Sequence, residues 1–80
     1  MLDKDTVRGW LAEKSGLTAS DIADDRRIFT DGLLDSFDLV ELVSFVEQQT
    51  GKRVRPLDIN MRNFDTVAQI ADFGGRLVGQ

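Results

Sequence analysis

Residues 30–51 read TDGLLDSFDLVELVSFVEQQTG. Leu39, Leu42, Val43 and Val46 recur at i, i+3, i+4 and i+7, the spacing of one buried helical stripe. The pattern predicts a helix over residues 35–50, closed by Gly51. Its start has two candidate caps. With Ser36 as the cap, the third helical residue would be Leu39, which cannot return a hydrogen bond. With Asp35 as the cap, that position falls on Asp38, an acid suited to the positive end of the helix dipole. The reading is therefore Asp35 as cap, with Ser36 as the first helical residue and its hydroxyl turned to solvent.

Working outward, LDKDTVRGWLAEKSG carries Val7, Trp10 and Leu11 at helical spacing, with Lys14 extending the stripe by its stem. Asp3 or Asp5 can cap this helix, over about residues 3–15, and Gly16 suits its end. Residues 17–34 show no sustained period. They read as a long connection, with one short helical turn at most, pinned to the core by scattered apolar residues. Pro56 opens a short helix over 56–61. Thr66 and Gln69 form a capping-box pair before a last helix over 66–78, whose buried face is Val67, Ile70, Ala71 and Leu77. Gly74 and Gly75 should fray or bend its end. Trp10 and Phe64 read as core. No alternating strand pattern appears. The fold class is all-α: a small bundle of three main helices plus one short helix, as one domain over residues 1–80.

The composition excludes several functions. The chain has 80 residues, a net charge of −4 and no cysteine or histidine. An acidic balance argues against nucleic acid, whose phosphates demand clustered bases. Without His or Cys, no metal site is expected. No apolar run reaches the roughly 18–20 residues of a membrane span, and the first ten residues hold no apolar signal core. A cytoplasmic monomer is the expectation. Catalytic residues: none are expected. Nucleophilic activation of Ser36 would need an oriented base, and LDSFD is not the glycine-flanked elbow of serine hydrolases.

Taken alone, the residues leave Ser36 as an ordinary solvated helix start. Yet a phosphate ester there would lie in the favourable field of a helix N-terminus, opposed by the carboxylates of Asp31, Asp35 and Asp38. The stretch Gly32-Leu33-Leu34-Asp35-Ser36, continued by Asp38, Val40, Glu41, Leu42 and Val43, resembles the central motif of the acyl and peptidyl carrier proteins. The helix order and NFDTVAQIADF near the end resemble that family too, so the likeness covers nearly the whole chain. It departs at Phe37, where the family usually has leucine.

The resemblance implies that Ser36 carries a covalent phosphopantetheine arm, installed from coenzyme A by a phosphopantetheinyl transferase, with Asp35 as motif residue and cap. Its thiol would hold acyl or aminoacyl cargo as a thioester, delivered to loading, elongating or transferring enzymes of fatty-acid, polyketide, peptide or related biosynthesis. The domain itself would be a carrier and no enzyme. Phe37, the modest charge and the basic KRVR stretch point to a specialised free-standing carrier. The alternative class is a small helical adaptor without a prosthetic group. Either would dock through the outer face of the second helix, Phe37, Asp38, Val40, Glu41, Ser44, Glu47 and Gln48. Residues 31–51 hold five acids and no base, which favours a basic partner. Lys52, Arg53 and Arg55 read as solvated or as tuning partner choice.

Overall fold

Leu42 and Val46 are fully buried, and Leu39 and Val43 flank them half-buried, so the stripe of residues 39–46 faces the core. Among the described residues, 2–79, the computed structural model holds α1 (Lys4–Ser15), α2 (Ser36–Thr50), α3 (Met61–Phe64) and α4 (Val67–Val78), and no strand. The helix α4 packs against each of the other three. Its Val67, Ile70, Phe73 and Leu77 meet Val7 and Leu11 of α1, Leu42 and Val46 of α2, and Phe64 of α3 in one apolar cluster. The rings of Phe64 and Phe73 lie 5.2 Å apart, tilted by 52°. Each such buried side chain contributes about 1.5–3 kcal/mol. None of the helices among the described residues is long and apolar enough to cross a membrane.

The helix starts follow their capping chemistry. Asp3 accepts from the Thr6 N–H at 2.7 Å to open α1. Thr66 and Gln69 exchange bonds of 3.1 Å in each direction at the head of α4. The long connection contains one 3-10 turn, Ala19–Asp21, and buries Ile22, Ile28 and Leu34. Polar ties hold it as well. Arg8 Nε donates to the Ile22 carbonyl at 2.9 Å, and the Arg8 guanidinium pairs with Asp24. The Asp24 carbonyl in turn accepts from the Ala68 N–H at 3.0 Å.

Four expectations are corrected. Residues 56–61 do not form one short helix. Pro56–Asp58 is a 3-10 turn, and the short helix is α3, displaced to Met61–Phe64. The cause is Asn60, whose extended backbone breaks the run and whose side chain accepts from the Arg62 N–H at 3.0 Å, starting a new helix. Trp10 is only half-buried; its ring stacks on Phe45 with centroids 5.5 Å apart. Finally, α4 runs unbroken through Gly74 and Gly75. Its buried face includes Phe73, which the sequence pattern left out, while Ala71 is only partly covered.

Gly74 is there for close approach. A β-carbon on it would lie 2.6 Å from Leu2 Cδ2, whereas one on Gly75 would meet nothing within 4 Å. The two positions therefore make a matched test. Gly75→Ala should stabilise the domain by about 0.5–1 kcal/mol through helix propensity. Gly74→Ala should give up that gain by displacing Leu2, since inserted methyl groups in packed sites cost about 1–3 kcal/mol. Thermal unfolding followed by circular dichroism should rank Gly75→Ala above wild type and Gly74→Ala below Gly75→Ala. Equal melting temperatures for the two variants would contradict the packing argument.

Candidate functional site

The approach to α2 is a turn that only some residues permit. Gly32 has φ of 78°, in the left-handed region, which favours glycine because other residues carry a Cβ penalty there. Its N–H donates to the Phe29 carbonyl at 3.1 Å. The Ile28 carbonyl accepts from both Leu33 and Leu34, at 2.9 and 3.2 Å. Leu34 is buried, and the chain then emerges so that Asp35 and Ser36 are exposed. The Gly-Leu-Leu-Asp-Ser order is thus a tight turn, a buried anchor, a cap and a presented hydroxyl.

Asp35 is the N-cap of α2. Its carboxylate accepts from the Asp38 N–H at 3.1 Å, and the Asp38 carboxylate accepts from the Asp35 N–H at 3.2 Å, completing a capping box. Both acids are thereby committed to fixing the helix start. Ser36 is the first helical residue, and its hydroxyl makes no hydrogen bond among the described residues. The N–H groups of Ser36 and Phe37 belong to the first turn, which has no intrahelical acceptors. An exposed hydroxyl beside unpaired N–H donors at a positive helix end suits an ester-linked phosphate.

A buried carboxylate holds this approach in place from below, and nothing in the sequence reading singled it out. Asp65 lies between α3 and α4, 5% exposed. It accepts from the Phe29 and Thr30 N–H groups at 2.8 and 3.0 Å and from the Thr30 hydroxyl. Its carbonyl accepts from the Ile28 N–H at 2.7 Å. Burial alone would raise the Asp65 pKa. The donated hydrogen bonds from Thr30 and Phe29, helped by the charge of Arg27, outweigh it and hold the carboxyl below its ordinary value. The available signal was an acid directly before the Thr66 capping box, enclosed by the apolar Phe64 and Val67.

On the outer side of α2, Phe37 and Val40 are 79% and 67% exposed. Glu41, Ser44 and Gln48 are exposed with them, and Asp38 is half-buried. Glu47 does not join this face as expected: it is half-buried, and its carboxylate accepts from the Val54 N–H at 2.8 Å, tying the α2–α3 connection to α2. Glu41 is also engaged. It pairs with Lys14 of α1, and the bond that Lys14 donates to the Glu41 carboxylate raises the Lys14 pKa against a smaller opposing effect of burial. The Lys14 ammonium lies 5.5 Å from the Trp10 ring centroid. Trp10, Lys14, Val40, Glu41 and Phe45 thus line a shallow groove between α1 and α2. The face is less acidic than the five acids of residues 31–51 suggest, because Glu47 is used internally and Lys14 offsets Glu41.

Among the described residues, no cluster of three or more acids could hold a metal ion. No individual curated protein matches the chain. The family model of the phosphopantetheine attachment site matches residues 5–73, from the first turn of α1 into the middle of α4. Matched over most of its length and folded as a small helical bundle, the chain belongs to the phosphopantetheine attachment site family, whose members are carriers with a covalently attached phosphopantetheine.

Proposed function

We propose that Ser36 is the attachment residue and that the chain delivers acyl or aminoacyl thioesters to enzymes of fatty-acid, polyketide, peptide or related biosynthesis, as a specialised carrier. The observation that carries this reading is the free, exposed hydroxyl of Ser36 on a helix start rigidified by Asp35 and Asp38. The phosphopantetheine arm, installed from coenzyme A by a transferase, supplies the thiol that holds cargo. The chain's own residues present the serine, offer the Ser36 and Phe37 N–H groups to the phosphate, and supply docking surface. They make and break no cargo bond, a reading supported by the lack of histidine and cysteine in the sequence. Tethering raises the effective concentration of cargo at each docked enzyme. Intact mass after incubation with coenzyme A and a broad-specificity phosphopantetheinyl transferase tests the reading. Gain of one phosphopantetheine supports it; an unchanged mass would leave the adaptor reading.

The exposed Phe37 and Val40, rather than the acids, should dominate docking at α2. Val40→Ala should slow transfer to a partner enzyme by about tenfold with little salt dependence, as for an apolar anchor. Glu41→Gln should have a small effect, because Lys14 already offsets that charge and exposed pairs are worth at most about 1 kcal/mol. The single tryptophan, Trp10, lines the same groove as Val40, so its fluorescence reports docking directly. A Glu41→Gln protein crippled more than Val40→Ala would reverse this ranking.

A further inference from the structure

The connection between α2 and α3 presents a second surface of opposite sign. Leu57 is 85% exposed, and Ile59 and Met61 are 36% and 38% exposed. Arg53, Arg55 and Arg62 are exposed on the same short stretch, with Asp58 as its only acid. Leu57 stands almost wholly in solvent on the loop, and Ile59 and the first residue of α3, Met61, add partly exposed apolar area beside it, a patch that is unfavourable unless something covers it. Nor is the loop slack. The Asp58 and Ile59 N–H groups donate to the Arg55 and Pro56 carbonyls at 2.9 and 3.1 Å. The side chains of Asn60 and Asn63 donate to the Leu57 and Asp58 carbonyls at 3.1 and 2.9 Å. These bonds brace the backbone on either side of Leu57, whose side chain is exposed.

We propose that residues 53–62 form a second docking face, fitted to a partner protein whose apolar pocket is rimmed by carboxylates. The inference rests on the carrier reading, since a carrier must visit more than one enzyme. Charge complementarity selects the occupant. The bases used here are arginines, whose planar forks match carboxylates in a bidentate geometry. Arg55 already pairs with Asp58 through one Nε–Oδ2 bond of 3.2 Å, while Arg53 and Arg62 are in no ion pair among the described residues. An anionic membrane is a poorer fit, because three arginines sit on a chain of net charge −4 that an anionic surface would repel as a whole. The face also differs from the start of α2, where Asp35 and Asp38, in no ion pair among the described residues, flank the exposed Phe37. One partner patch cannot complement both signs, so the two faces sort partners into two classes.

The test maps backbone amide shifts of the isotopically labelled protein against two synthetic amphipathic helical peptides, one leucine–glutamate and one leucine–lysine. The leucine–glutamate peptide should shift residues 53–62 and leave residues 37–48 unmoved. Arg53→Glu with Arg62→Glu should weaken that binding by about tenfold or more at low salt, and Leu57→Ser should weaken it at every salt concentration. Phosphatidylglycerol vesicles should not bind. Failure of the acidic peptide to perturb residues 53–62 overturns the proposal, as does vesicle binding that depends on Leu57 or a charge-reversed variant that binds the leucine–glutamate peptide as tightly as wild type at low salt. Both variants should still accept phosphopantetheine. An unmodified wild type would instead count against the carrier reading, whatever the peptides do.

Discussion

Ser36→Ala should abolish the gain of phosphopantetheine completely while leaving the helical circular dichroism unchanged. The two halves of this expectation have separate causes. The cap of α2 is Asp35, and its bonds run to and from Asp38, so Ser36 contributes no capping bond. Alanine is the best helix former and tolerates the first turn. Stability should therefore stay within about 0.5 kcal/mol of wild type, as for surface substitutions away from special features. Modification, by contrast, should lose its proposed acceptor. Ser15, Ser20 and Ser44 lack the Gly-Leu-Leu-Asp approach, and Ser15 already bonds its own backbone, donating to the Ala12 carbonyl at 3.4 Å. Intact mass after transferase treatment reads the outcome in one step. Asp35→Ala is the informative companion. It removes the cap, which costs about 0.5–2 kcal/mol, and should slow modification without preventing it. A Ser36→Ala protein that still gains the arm would place the attachment elsewhere and remove the basis of the proposed function.

The parts of this molecule that were legible in the sequence are those where one residue type has one dominant physical use. Apolar spacing places the stripe of Leu39, Leu42, Val43 and Val46 because burial follows the 3.6-residue period. Capping grammar distinguishes Asp35 from Ser36 and finds the Thr66–Gln69 box, because the partner must lie three residues on. The illegible parts depend on contacts distant in sequence. Glu47 reads as a surface acid, and only the fold brings the Val54 N–H against it. Lys14 and Glu41 are 27 residues apart, so the neutralised groove between α1 and α2 could not be seen from the acid count of either segment. Gly74 reads as a helix breaker until Leu2 is found packed on it. Pro56 suggests a helix start correctly in kind, but Asn60, four residues later, is the stronger cap and moves the short helix to Met61–Phe64.

Asp65→Ala should be the most destabilising single change at any polar residue described above. The carboxylate joins the start of α4 to residues 28–30 across more than thirty positions of sequence. Removing it strands the Phe29 and Thr30 N–H groups and the Thr30 hydroxyl together. Hydrogen bonds to a charged group contribute about 1.5–3 kcal/mol, so a loss of about 2–3 kcal/mol is expected. In a domain of this size that lowers the melting temperature by roughly 8–24 °C. Asp65→Asn should fall between, since an amide oxygen can still accept from the two N–H groups but the charge is gone. The pH dependence follows from the depressed pKa in the fold. A carboxyl held below its unfolded value stabilises fully above that value, near pH 4, and the contribution fades as pH falls through the folded pKa. The stability gap between wild type and Asp65→Asn should therefore be constant from pH 7 to about 5 and shrink below about pH 4. A gap that instead widened on acidification would mean that Asp65 is held protonated by its burial. The same network underlies the turn at Gly32, because Ile28 bonds Asp65 on one side and Leu33 and Leu34 on the other. Loosening it should slow modification of Ser36 even at temperatures where Asp65→Ala remains folded. A buried acid near the far end of the sequence would then set how firmly the serine is offered.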